Sequence, residues 1–243
     1  MADEHKVGIL ARMRQMLAAP HLTERTAGLV EIRMNQLCDR ETFRSDAAQG
    51  WIGYAAALRD GLYGEGEWPN AIDEAERVVS AVAGRASAVS ELGETFPSHF
   101  NADTSLATIA YCVARVQRPS RVVETGVAYG FMTAVLLEAL AANGEGSLLS
   151  IDLPSLDDPE GHTTGTLVPA SRRGEWTLHL GSSRRLLSDV AATAGRIDMF
   201  VHDSANVSSM QRFEVGVIWP RLVPGGIVIA TTPVRASCDC CRG

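Results

Sequence analysis

Two periods divide the chain. Up to about residue 95 apolar side chains recur at helical spacing; beyond residue 120 they form short continuous runs separated by helical stretches. Val7, Ile9, Leu10, Met13, Met16 and Leu17 share one helical face. Thr23 can cap a second helix carrying Leu29, Val30, Ile32, Met34 and Leu37. A third runs from about Asp46 to Leu62 through Trp51, Ile52, Tyr54 and Leu58, and stops among Gly61, Gly64 and Gly66. Asn70 reads as the N-cap of a fourth helix, with Asp73 and Glu74 as acids of its first turn and Ile72, Val78, Val79, Val82 and Val89 as its apolar positions. No alternating strand interrupts this region. Residues 1–95 are therefore expected to form an N-terminal helical cap or assembly region.

A connector containing Pro97 leads to a helix opening at Asp103 or Thr104, running through Leu106, Ile109, Ala110, Val113 and Val116 and ending before Pro119. Strands are then predicted near 121–125, 147–152, 176–180, 197–202 and 226–231, with helices near 131–142, 183–194 and 207–221. Continuous apolar strands such as Ile227-Val228-Ile229-Ala230 suit a parallel sheet covered on both faces. Right-handed crossovers bring the C-terminal strand ends to one edge. The expected fold is α/β, Rossmann-like and mostly parallel, over residues 96–243, with the helical cap before it.

Composition narrows the partners. The 243 residues carry 22 basic and 29 acidic side chains, a formal charge of −7, with no basic block to attract nucleic acid or an anionic membrane. No apolar run approaches the roughly 18 residues that a membrane span needs. The start, Met1-Ala2-Asp3-Glu4-His5-Lys6, lacks the pattern of a signal peptide. Five cysteines, three of them at Cys238, Cys240 and Cys241, do not make a disulfide framework. A cytoplasmic protein is expected. The cysteine tail has three thiolates for a soft metal but no evident fourth ligand, and is expected to be a disordered terminus rather than a metal site.

Candidate chemistry gathers where strands end. Arg121-Val122-Val123-Glu124-Thr125 runs into a turn with Gly126 and Gly130, then an apolar helix, the opening of a nucleotide-binding βαβ unit. The glycines allow a sharp bend and a ligand at the helix N-terminus; a tight turn with no ligand fits the same residues. Ser147 to Asp152 is a strand ending in an acid that can accept both hydroxyls of a ribose, or cap the next loop. Gly126-Val127-Ala128-Tyr129-Gly130 lacks the middle glycine of a pyrophosphate loop, which favours a nucleoside with a small polar tail over a dinucleotide. Leu178-His179-Leu180-Gly181-Ser182-Ser183 ends a third strand in a small-residue loop able to receive an adenine edge. Ile197 to Ser204 delivers Asp203 to the same edge, while His202 alternates to the other face as a packed histidine.

In this order the motifs resemble those of class I S-adenosylmethionine-dependent methyltransferases. Val122-Val123-Glu124-Thr125-Gly126 to Gly130 looks like their first motif, Ser150-Ile151-Asp152-Leu153-Pro154 like the end of strand two, and Phe200-Val201-His202-Asp203-Ser204 like strand four. Trp219-Pro220 through Pro224-Gly225-Gly226-Ile227 resembles the approach to strand five. The combination is similar to a bacterial branch related to small-molecule and sugar O-methyltransferases, which implies secondary metabolism and a small-molecule acceptor. The resemblance spans roughly residues 96 to 231.

By position, it implies that Glu124, Gly126, Ala128, Tyr129 and Gly130 receive the methionine end of S-adenosylmethionine. Asp152 and Leu153 would take the ribose, Gly181, Ser182 and Ser183 would border the adenine, and Asp203 would face methyl group and acceptor. Two departures follow. Ala230-Thr231-Thr232-Pro233 lacks the acids that metal-dependent relatives carry after strand five, so no metal is expected. Ser204 to Ser209 lacks the histidine and aromatic that follow the strand-four acid in relatives, leaving His162 or His99 as substitute bases. Twelve residues follow Thr231, so the sheet is expected to be shortened at its C-terminal side and its bare edge covered in a homodimer. The alternative is a protein of this fold that binds the cofactor but catalyses a non-methylating reaction or serves as a non-catalytic partner subunit.

Overall fold

The computed structural model describes residues 68–89, 104–155, 158–204 and 208–230. The first three predicted helices, His99, residues 205–207 and everything after Ala230, including the cysteine tail, lie outside the described residues.

Helix α1 (Trp68–Val89) precedes α2 (Thr104–Gln117). The alternating unit follows: β1 (Arg121–Thr125), α3 (Phe131–Asn143), β2 (Ser147–Asp152), a 3-10 turn (Ala170–Glu175), β3 (Trp176–Leu180), α4 (Ser183–Ala194), β4 (Ile197–His202), α5 (Ser208–Ile218), a 3-10 turn (Trp219–Arg221) and β5 (Leu222–Ala230). The five strands are all parallel in the order β3-β2-β1-β4-β5, the Rossmann-like sheet that the alternation predicts. The order reverses beside β1, so the C-terminal ends of β1 and β4 flank the crevice at the switch point.

Side-chain alternation assigns the faces. Val122, Leu148, Met199 and Val201 join α1, α2 and α3 in one apolar layer. Val123, Leu149, Ile151, Ile197 and Phe200 join α4 and α5 in the other. Helix α3 is buried almost all round because α1 and α2 cover the side turned away from the sheet. That layering explains its run of Val135, Leu136, Leu137 and Leu140 with hardly a polar stripe. Truncating one of these, such as Leu136→Ala, would cost about 2–5 kcal/mol. A polar clasp ties the outer helices: Arg115 donates to Glu74 at 2.7 Å and to Asn143, and burial together with the Glu74 charge pushes the Tyr111 hydroxyl up to about 12.

Two boundaries differ from expectation. Helix α1 starts at Trp68, so Asn70 lies within its first turn and Asp73 and Glu74 in the second. Pro69, whose missing N–H costs nothing in a first turn, lets the helix begin earlier. Strand β5 begins at Leu222, not near 226. Ile197 pairs with Leu222 and Met199 already with Ile227, so Val223-Pro224-Gly225-Gly226 is looped out as a bulge.

Candidate functional site

The turn after β1 keeps its shape without a middle glycine. Gly126, Ala128 and Gly130 all have positive φ, at 88°, 48° and 85°. Ala128 thus holds a left-handed conformation that costs a side-chain-bearing residue roughly 1–2 kcal/mol, and its N–H donates to Asp152 Oδ2 at 3.0 Å. The two glycines answer to protein packing. A Cβ on Gly126 would lie 2.2 Å from the Asp203 carbonyl oxygen, and one on Gly130 would lie 2.8 Å from the Gly165 Cα. Gly165 and Leu167 donate to the carbonyls of Ala128 and Tyr129 at 2.9 and 2.8 Å, so the loop between β2 and β3 is laced onto the turn. The neighbouring strand ends are tied in the same way: Gly126 N–H donates to Ile151, Asp203 N–H to Thr125 and Gly181 N–H to Asp152.

Three carboxyls converge on this edge. Glu124 projects from β1 toward α3, fully buried, and its Oε2 accepts from Thr133 Oγ1 at 2.8 Å and Ser150 Oγ at 2.6 Å. Its Oε1 is buried with no hydrogen-bond partner among the described residues. Burial pushes the Glu124 carboxyl up to about 8 against the pull of those two hydroxyls, and the charges of Asp203 and Asp152 push the same way. Burial also raises Asp203 to about 7, with His202 opposing and Asp152 reinforcing the rise. Such a cluster favours a cation, which would compensate the desolvation of Glu124 and Asp203.

The remaining predicted residues take distinct places. Leu153 follows Asp152, half-buried. Ser182 caps α4, its hydroxyl accepting from the Arg184 N–H at 3.2 Å. Ser183 turns inward. His162 stands on the exposed loop with Nδ1 3.1 Å from Asp158 Oδ1, and among the described residues no hydrogen bond joins it to Asp203. His202 is buried as expected for a packed histidine.

Sequence reasoning missed Glu214. This fully buried carboxylate of α5 accepts from Thr125 Oγ1 and Ser183 Oγ, each at 2.5 Å, from His202 Nδ1 at 2.7 Å, and from Ser204 Oγ at 3.1 Å. In sequence it is one acid on an amphipathic helix. The only local signal was the apolar neighbourhood Phe213-Glu214-Val215. Among the described residues no group of three or more His, Cys, Asp or Glu side chains is arranged to hold a metal ion.

A family model described as a methyltransferase domain matches residues 123–230, from the third residue of β1 to the last of β5. Residues 123–230 are thus similar to a methyltransferase domain. No curated protein matches the chain. Among solved structures, the chain is similar to an S-adenosylhomocysteine-bound methyltransferase of Podospora anserina. That pair is 15% identical, with 79% of this chain and 71% of that one covered, at a TM-score of 0.48. Similar too is an O-methyltransferase of Streptomyces achromogenes involved in tomaymycin synthesis, in complex with S-adenosylmethionine (17% identity, 76% and 73% covered, TM-score 0.45). A methyltransferase of Geobacter sulfurreducens is 20% identical, with 74% and 78% covered and a TM-score of 0.45.

The residues at this edge fit S-adenosylmethionine. S-adenosylmethionine carries a sulfonium and an ammonium group, and the buried, unpartnered Glu124 Oε1 with Asp152 and Asp203 nearby is a donor set suited to positive charge.

Proposed function

We propose that this methyltransferase domain transfers a methyl group to an oxygen of a small-molecule acceptor. The observation that carries the reading is the convergence of Glu124, Asp152 and Asp203 at the C-terminal ends of β1, β2 and β4, with Glu124 and Asp203 raised into the neutral range. When bound, the cofactor supplies a methyl group activated by its sulfonium. The protein supplies alignment and proton management. Glu124 and the 126–130 turn, with Ala128 and Tyr129, receive the methionine end, Asp152 and Leu153 the ribose, and Gly181, Ser182 and Ser183 the adenine border. Asp203 is the base: a carboxyl near 7 can take a hydroxyl proton from the acceptor at neutral pH. This assignment needs no histidine, so His162 on its exposed loop falls to second place.

Residues 1–95 are assigned the acceptor side and assembly, of which α1 packs over α2 and α3. A homodimer through β5 suits a strand with no neighbour on its outer side among the described residues, next to Trp219, a large apolar side chain exposed at 47%. No described helix is long and apolar enough to cross a membrane. A cytoplasmic setting and a role in secondary metabolism complete the reading.

Isothermal titration with S-adenosylmethionine and S-adenosylhomocysteine, followed by a screen of hydroxylated small molecules for methylated product, tests it. Affinity weaker than millimolar for both ligands overturns the cofactor site. Tight binding with no product across the screen favours the non-methylating alternative.

A further inference from the structure

The Glu214 carboxylate joins four pieces of chain far apart in sequence: the end of β1 through Thr125, the start of α4 through Ser183, the end of β4 through His202 and the loop beyond it through Ser204. Two of these pieces carry opposite ends of the proposed cofactor site. Ser183 belongs to the turn after β3 that borders the adenine, and Ser204 follows Asp203, which faces the acceptor. Neither serine hydroxyl donates to the other; both donate to Glu214. The Oε1 atom takes Ser183 at 2.5 Å and Ser204 at 3.1 Å, while Oε2 takes Thr125, His202 and Ser204. A fully buried carboxylate needs such a set of donors, and conversely holds each donor in one rotamer.

We propose that Glu214 is a positioning residue of the methyltransferase site, setting the turn after β3 and the Asp203 loop relative to one another and to β1. The inference rests on the cofactor placement proposed above. Its consequence is a coupling between groups that do not touch. Removing the Ser204 hydroxyl frees one lone pair of Glu214, loosens its hold on Ser183, and is felt at the adenine end.

Isothermal titration with S-adenosylhomocysteine and with adenosine alone tests this on the full chain as wild type, Ser183→Ala, Ser204→Ala and the double variant, with melting temperatures measured alongside. The expected result is that Ser204→Ala weakens adenosine binding, and that the double variant departs from the product of the single effects by about threefold, near the low end for groups sharing one network. In a Glu214→Gln background that departure disappears. A purely structural role would lower the melting temperatures while leaving adenosine affinity unchanged by Ser204→Ala and the serine effects multiplicative. That outcome overturns the inference, and it can be read from the serine variants alone if Glu214→Gln does not fold. Wild-type protein that binds neither ligand overturns the cofactor placement itself.

Discussion

Replacing Glu124 by Gln keeps the shape of a fully buried acid in the site and removes its proton equilibrium. In the folded protein burial pushes this carboxyl up to about 8 from an ordinary value of 4.5. Between those values the folded chain holds a proton that the unfolded chain has released, so stability falls as pH rises. The stabilising contribution is complete below about 4.5 and lost by the time pH passes about 8. At about 1.4 kcal/mol for each pH unit, the loss accumulates to about 4–5 kcal/mol across the interval. Glutamine still accepts from Thr133 and Ser150 through its carbonyl, and its amide replaces the unpartnered Oε1. Urea denaturation of both proteins without cofactor, from pH 5 to pH 9, should show the variant gaining on the wild type by about 4 kcal/mol as pH rises. Parallel stability curves would refute the reasoning. The cofactor supplies the second half of the experiment. A cation beside Glu124 lowers its carboxyl and expels the proton, so titration at pH 7 in buffers of different ionisation enthalpy should detect proton release. Glu124→Gln should release less. Equal release from both would place the binding charge elsewhere.

Further expectations concern the turn and the two aspartates. Gly126→Ala forces a Cβ to within 2.2 Å of the Asp203 carbonyl oxygen at φ 88°, and should cost about 2–4 kcal/mol in urea denaturation. Ala128→Gly relieves a φ of 48° and should change stability by less than about 1 kcal/mol. An equal cost at the two positions would contradict the packing described. Asp152→Ala should weaken S-adenosylhomocysteine by about 1–3 kcal/mol, as measured by titration; unchanged affinity would remove Asp152 from the ribose site. If Asp203 is the base, kcat/KM should rise with pH up to about 7 and then level, and Asp203→Asn should abolish that rise. A rise that persists in the variant would assign the proton to another group.

Much of the fold was legible because its signals are local. The strands at 121–125, 147–152, 176–180 and 197–202 coincide with short apolar runs, and the glycine and proline punctuation falls between them. The errors were local too. Pro69 advances the start of α1 by three positions, and the bulge at Val223-Pro224-Gly225-Gly226 lengthens β5 backwards beyond any apolar run. Ala128 carries a wider lesson. The missing middle glycine read as a different ligand preference, yet the backbone takes the left-handed bend all the same, held by the Asp152 carboxylate and by the β2–β3 loop.

From the sequence alone came the period of each segment, the parallel sheet, the family resemblance and the acids at the strand ends. Each of these depends on neighbours within a few residues, or on strand ends that a parallel topology must bring to one edge. What the tertiary structure decided is what those groups touch. Both turn glycines are required by the backbones of Asp203 and Gly165. Ser183 faces inward, and Glu214 gathers Thr125, Ser183, His202 and Ser204 into one buried network. Those partners lie between 10 and 89 positions from Glu214 along the chain, a range over which no hydrophobic period carries information. Their contacts exist only once the helices are packed on the sheet and water is excluded from the space between.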